Sequence, residues 1–141
     1  MSGYLERFSG ILERYTEAFN EAEKKRKPGS GLFGFGQGPG DYPCHEEMDR
    51  QVAELTAEAA EEAGTAETAA LVKAILAAEQ ERKWPEAARL AVLAQQRHVM
   101  PLIPKLSAAD REAIRTWYEE VYPRRKRLPI QKQLVKQMQN G

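Results

Sequence analysis

The sequence has few of the groups from which enzymes and metal centres are usually assembled. It carries one cysteine, Cys44, and two histidines, His45 and His98. A disulfide framework is therefore excluded, and a structural zinc site of the usual Cys/His type needs more ligands than these supply. No apolar run approaches the ~20 residues that a bilayer-spanning helix requires. The 10 glycines and 8 prolines follow no period, which excludes a collagen-like chain. Neither sign of charge is in excess, with 21 basic and 21 acidic side chains, whereas most dedicated nucleic-acid modules are basic as a whole. The opening residues, Met1 to Arg7, lack a basic start followed by an apolar block, so no secretory leader is expected. A lone cysteine fits a reducing, cytoplasmic setting.

Helix formers are plentiful, and apolar residues recur at helical spacing. Tyr4, Phe8, Ile11, Tyr15, Ala18 and Ala22 repeat every three or four positions, flanked by Leu5, Leu12 and Phe19. They predict a first helix with one wide apolar stripe. It should fade in the basic run up to Lys27 and stop at Pro28–Gly29. Residues 28–43 then read as a long Gly/Pro-rich loop, pinned by Leu32, Phe33, Phe35 and Tyr42. Two antiparallel helices follow, about 45–63 and 66–82, with Gly64 as a stop and Thr65 as a cap. Trp84–Pro85 predicts a further helix with Pro at its first position, ending before Pro101. Ser107 to Asp110 resembles a capping box and opens a helix to Tyr122. Pro129 opens the last helix, carrying Ile130, Leu134 and Met138. No strand alternation is present. The expected fold is an all-α, single-domain irregular or orthogonal bundle of five to six helices over residues 1–141. Its long Gly-rich loop lies between the first and second helices, and a basic segment, 124–141, closes it.

The zero net charge conceals a polar distribution. Residues 41–81 carry 11 acids and 2 bases, a net of −9, while residues 105–141 carry 9 bases and 4 acids, a net of +5. Such blocks serve as solvated faces or as contacts for oppositely charged partners, within one molecule or between two.

Four groups of residues carry chemistry. Gly29, Gly31 and Gly34 match G-x-G-x-x-G, but no strand precedes them, so the dinucleotide reading lacks its context. Their amides retain the capacity to form an anion nest. Asp41, Tyr42, Cys44, His45 and Asp49 form the densest cluster of capable groups, and with Phe33 and Phe35 they make the candidate ligand site. Cys44 near a helix N-terminus is the candidate nucleophile, with His45 as its aid. His45 and Asp49, four apart, share a helix face as two metal ligands would, but two ligands make no site, so no metal is expected. The plain alternative is that Asp41 or Cys44 caps the helix. The third group is Arg124, Arg125, Lys126, Arg127, Lys132 and Lys136, with glutamines at 131, 133, 137 and 139: phosphate-binding cations with polar reach to bases. The same residues fit a solvated terminal helix docked on its own bundle. Last, Pro101 and Pro104 form P-x-x-P, read as a rigid connection between helices.

No complete catalytic set and no cofactor motif is present, so no cofactor is expected. The first functional expectation is a non-enzymatic helical interaction or regulatory protein that contacts a protein partner through helix faces and the glycine-aromatic loop. The second is nucleic-acid association through 124–136. The third is a small ligand-binding protein or enzyme with its site where the 29–43 loop meets Cys44, His45 and Asp49. The heptad-like seam of the first helix is also compatible with a homodimer.

Overall fold

The computed structural model describes residues 3–25 and 42–140. Phe33, Phe35 and Asp41, the glycine motif and the end expected for the first helix at Lys27 lie outside the described residues. Within them the chain forms six α-helices and no strand: α1 (Tyr4–Lys25), α2 (Pro43–Glu62), α3 (Thr65–Ala77), α4 (Glu86–Ala94), α5 (Ala108–Val121) and α6 (Pro129–Asn140). The expected all-α architecture is what the chain adopts.

The apolar stripe of α1 is narrower than its spacing implies. Phe8, Ile11, Leu12, Tyr15 and Phe19 are buried, whereas Leu5 and Ala18 are exposed. The stripe packs against α2 and α3 of the same chain, and Arg7 pairs with Glu58 across the α1–α2 contact. α2 starts at Pro43, with Tyr42 in the N-cap position and no side-chain cap bond. Cys44 lies inside the helix and not at its cap, and Asp41 lies outside the described residues; the fixed φ of Pro43 suits a first helical residue, and the Tyr42 hydroxyl donates to Glu23 near the end of α1. The cap of α3 is Gly64 rather than Thr65. The Gly64 amide donates to Glu67 Oε1 at 3.0 Å, and the Thr68 hydroxyl donates back to the Gly64 carbonyl at 2.8 Å. At α5 the capping expectation holds, as Ser107 Oγ accepts from the Asp110 amide at 3.1 Å.

The largest departure follows α4. The expected helix from Pro85 to Met100 is α-helical only over nine residues, with Pro85 as its N-cap. The chain then tightens into a 3₁₀ helix, Gln95–Lys105, that runs through both Pro101 and Pro104. A 3₁₀ run of that length is unusual. Each proline lacks an N–H and disfavours α geometry in the residue before it, but its φ near −65° is compatible with the 3₁₀ path. The segment thus continues instead of stopping. Val99, Leu102 and Ile103 are fully buried on it, and it touches α2, α3, α4 and α6. The P-x-x-P connection is the central strut of the core. Its far end is tied to α2 by Lys105, whose Nζ donates to the carbonyls of Ala59, Ala60 and Ala63 at 2.8, 3.0 and 2.8 Å.

Candidate functional site

Successive residues on a helix diverge by about 100°, and the start of α2 shows the consequence. Cys44 lines a groove of about 450 Å³ between α1 and α2, together with Ile11, Arg14 and Met48. His45 lines a different groove, between α2 and α4. No thiolate–imidazole pair joins them. Burial pushes the Cys44 thiol above its usual range, outweighing the amides of Cys44 and His45 that favour the thiolate. Burial at this position thus works against the thiolate that a helix N-terminus favours.

His45 belongs to an aromatic stack. Its ring lies 5.0 Å from Tyr42, which lies 5.0 Å from Phe19, and Tyr15 and Trp84 extend the cluster. Among the described residues His45 Nε2 is buried without a hydrogen-bond partner, and burial holds the imidazole below its usual pKa. The neutral ring acts as one more flat apolar surface. Asp49 turns away to the 3₁₀ strut, where His98 Nε2 contacts its Oδ1 at 2.9 Å and Arg97 at 2.7 Å. Burial alone would raise the Asp49 carboxyl; the His98 hydrogen bond and the Arg97 charge overcome it and hold the group below its usual range. His45 and Asp49 border one groove, but the carboxylate is committed elsewhere. Among the described residues no three His, Cys, Asp or Glu side chains group so as to hold a metal ion.

That α2–α4 groove, about 450 Å³, is floored by Ala87, Leu90 and Ala91 and edged by Glu46, Asp49 and Arg50. A second groove of about 470 Å³ opens on the other side of α4, towards the corner between α5 and α6. Leu90, Leu93, Val121 and Leu128 form its apolar walls, and Arg89 and Lys126 stand at its edges. Leu90 is 50% exposed and borders both grooves. Neither groove is among the sites expected from the sequence. The signal was present: from Ala87 to Ala94 every residue except Arg89 is apolar, more than one buried face requires.

A buried polar network lies beneath the second groove. The Tyr118 hydroxyl donates to Gln96 Oε1 at 2.6 Å, and Gln131 Nε2 donates to the same oxygen at 3.2 Å. Gln96 Nε2 reaches the Tyr122 hydroxyl at 3.2 Å, which in turn donates to Glu79 at 2.8 Å. Gln131 also accepts the Leu128 amide at 2.9 Å, capping α6. The polar reach expected of Gln131 is corrected by this burial: its side chain is spent inside the fold.

The basic segment divides in the same way. Arg124, Arg125 and Lys126 form an exposed 3₁₀ turn. Lys132 and Lys136 are exposed on α6. Arg127 is not part of that surface: its side chain is 10% exposed, its Nε donates to the Tyr122 carbonyl at 2.8 Å, and it lies 3.6 Å from Glu119. The apolar face of α6, Leu134, Val135 and Met138, is buried in the core, so it is not free for a membrane surface. Among the described residues no helix is long and apolar enough to cross a membrane. Comparison with family models, with curated proteins and with solved structures found no match to this chain.

Proposed function

We propose that the chain is a non-enzymatic helical interaction module that receives a protein partner across α4. One observation carries this reading: Leu90 stands half-exposed on a ridge between two open grooves of about 450 and 470 Å³. Both volumes fall within the ~300–1,000 Å³ that binding clefts span. Complete burial of a leucine contributes about 1.5–3 kcal/mol, and binding energy concentrates in such anchors at the centre of a desolvated patch. Among the described residues, Cys44 and His45 line separate grooves and Asp49 is engaged by Arg97 and His98, so the interaction reading has the firmer support.

The test is selection of displayed 16-residue peptides on the immobilised chain, with Leu90→Ser as counter-selection. Leu90 is solvated on one side, so the variant should fold. Enrichment of amphipathic sequences that the variant releases is the expected result. An absence of any sequence that distinguishes the two proteins refutes the reading.

A second reading, nucleic-acid association, is favoured by five exposed cations, Arg124, Arg125, Lys126, Lys132 and Lys136, which have no ion pair among the described residues. Phosphate binding would weaken steeply with salt, in proportion to the number of contacts. Fluorescence polarisation of duplex DNA and single-stranded RNA over a salt series checks it. Binding should fall with salt and vanish when residues 124–126 are changed to Ser.

A further inference from the structure

We propose that the groove between α4 and the α5–α6 corner docks an acidic amphipathic helical segment of a partner protein. Its apolar side chains would lie against Leu90, Leu93, Val121 and Leu128, and its carboxylates on the Arg124–Lys126 turn. The inference rests on the reading of the chain as an interaction module, and adds which groove is used and the charge of what enters it.

The two grooves beside α4 differ in what they ask of an occupant. The α2–α4 groove is walled largely by alanine, and its edge mixes Glu46 and Asp49 with Arg50. The other has leucine and valine walls. Among the described residues three large apolar side chains are exposed, Leu5, Leu90 and Leu128, and two of them border this groove, at 50% and 42% exposure. Two such anchors on one cleft bind a helix better than one, because a helix presents apolar residues at i, i+3 and i+7. The floor offers no unmet polar demand: the Tyr122 hydroxyl is bonded to Glu79, and the Gln131 amide to Gln96 and the Leu128 backbone. Affinity would therefore come from the walls and the edge.

Three charged side chains line this groove, Glu79, Arg89 and Lys126. Arg89 is held by Glu86 at 3.2 and 3.0 Å and faces Glu79 at 3.9 Å, so these charges compensate one another. Lys126 has no ion pair among the described residues, and Arg124 and Arg125 precede it on the same exposed turn. Arg127, anchored to the Tyr122 carbonyl and beside Glu119, fixes that turn against α5. A complementary partner places carboxylates beside its apolar stripe. Complementary charge at a rim raises association rates and selects among partners more than it adds affinity.

A second copy of this chain fits less well. Its most acidic helix, α2, keeps Met48, Val52, Leu55 and Ala59 buried, so it offers carboxylates without apolar anchors. A nucleic acid would meet the cations but leave Leu90 and Leu128 in water.

The experiment displays a library of 16-residue peptides with Leu, Ile or Phe fixed at i, i+3 and i+7. The remaining positions vary among Glu, Lys, Ser, Gln and Ala. The expected winners carry net negative charge and lose at least tenfold affinity with Leu128→Ser and with Lys126→Glu, while Ala94→Glu at the other groove leaves them unchanged. Ser is a better N-cap than Leu at the start of α6, so Leu128→Ser should fold at least as well as the parent chain. Winners that are basic or neutral, or that only Ala94→Glu releases, overturn the inference and leave the interaction reading standing. No enrichment at all removes both. Self-association of the parent chain that Leu90→Ser abolishes would assign the groove to a second copy instead. RNA binding through 124–126 without any selected peptide would hand the turn to phosphate. Either result overturns the proposal.

Discussion

Lys105 shows how a side chain read as one charge among many can act as a structural bond. The last carbonyls of a helix lack intrahelical partners, and a cation there is favoured by the helix dipole. Its ammonium meets the Ala60 and Ala63 carbonyls at the end of α2 and shares the Ala59 carbonyl with the Ala63 amide. Lys105→Met keeps most of the stem and removes the donors. Hydrogen bonds to charged groups contribute about 1.5–3 kcal/mol, and water can replace part of this at a half-exposed site, so a loss of about 1–3 kcal/mol in urea unfolding is expected. An unchanged midpoint would show that the contacts contribute nothing. His45 makes a second prediction at this scale. Its folded pKa lies below the ordinary 6.5 because its charged form is desolvated. As pH drops below 6.5 the unfolded chain takes up a proton that the native ring refuses, so stability falls with acidification and then levels below the folded value. Asp49 has the complementary origin but the same direction. Its contribution is present above 3.8 and is lost as pH falls through its depressed folded value. His45→Phe, which preserves the stack on Tyr42, should remove the first loss just below pH 6.5 and leave the second. Unfolding curves at stepped pH, with the ring proton of His45 followed by NMR, check both. Titration of His45 at or above 6.5 would contradict the burial argument.

Elements were legible where an apolar stripe and a cap coincide, and obscure where packing overrode them. α2, α5 and α6 begin within a few residues of their capping or proline signals, because those signals act through the local backbone. The strut at 95–105 was not legible: two prolines read as a stop, and only contact with four other helices explains why the chain continues. Gln96 and Gln131 were equally hidden, since glutamine is usually exposed and, apart from the Leu128 amide, their partners lie 20 to 35 residues away. At the candidate site the sequence located the start of α2, and helix geometry alone separates Cys44 from His45 by about 100°, but the engagement of Asp49 by His98, 49 residues away, was not legible. A strut at the centre of a core should fail globally. Leu102→Ala empties a site with no exposed surface, and such truncations cost about 2–5 kcal/mol. Leu90→Ser on the neighbouring α4 should stay within about 0.5 kcal/mol. The slope of the denaturation curve should be unchanged in both, as expected when one cooperative unit unfolds. A Leu102→Ala protein that instead melts in two steps would show that the strut is a local appendage.

For the molecule as a whole, the question is whether the separated charges are satisfied within one chain. The longer-range ion pairs join Arg7 to Glu58, Arg97 to Asp49, Arg89 to Glu79 and Arg127 to Glu119. Among the described residues none links the acids of 41–81 to Arg124, Arg125, Lys126, Lys132 or Lys136. Of the two readings of the charge blocks, solvated faces or mutual contacts, these five exposed cations fit the first. The apolar seam of α1, which was compatible with a homodimer, is covered by α2 and α3 of its own chain. These two facts predict a monomer of 15.9 kDa whose weak association is electrostatic. With an isoelectric point near 6.8 there is little net repulsion at neutral pH to oppose it. At about 0.01 M salt the screening length is ~30 Å, and opposite blocks on neighbouring molecules attract; at 0.15 M it shrinks to ~8 Å and the attraction fades. Static light scattering should show a negative second virial coefficient at low salt that rises towards zero as salt is added. Leu90→Ser should not alter that trend, whereas Arg124→Ser with Arg125→Ser and Lys126→Ser should weaken it. If attraction instead grew with salt and disappeared in Leu90→Ser, association would be apolar and the ridge of α4 would be its seat.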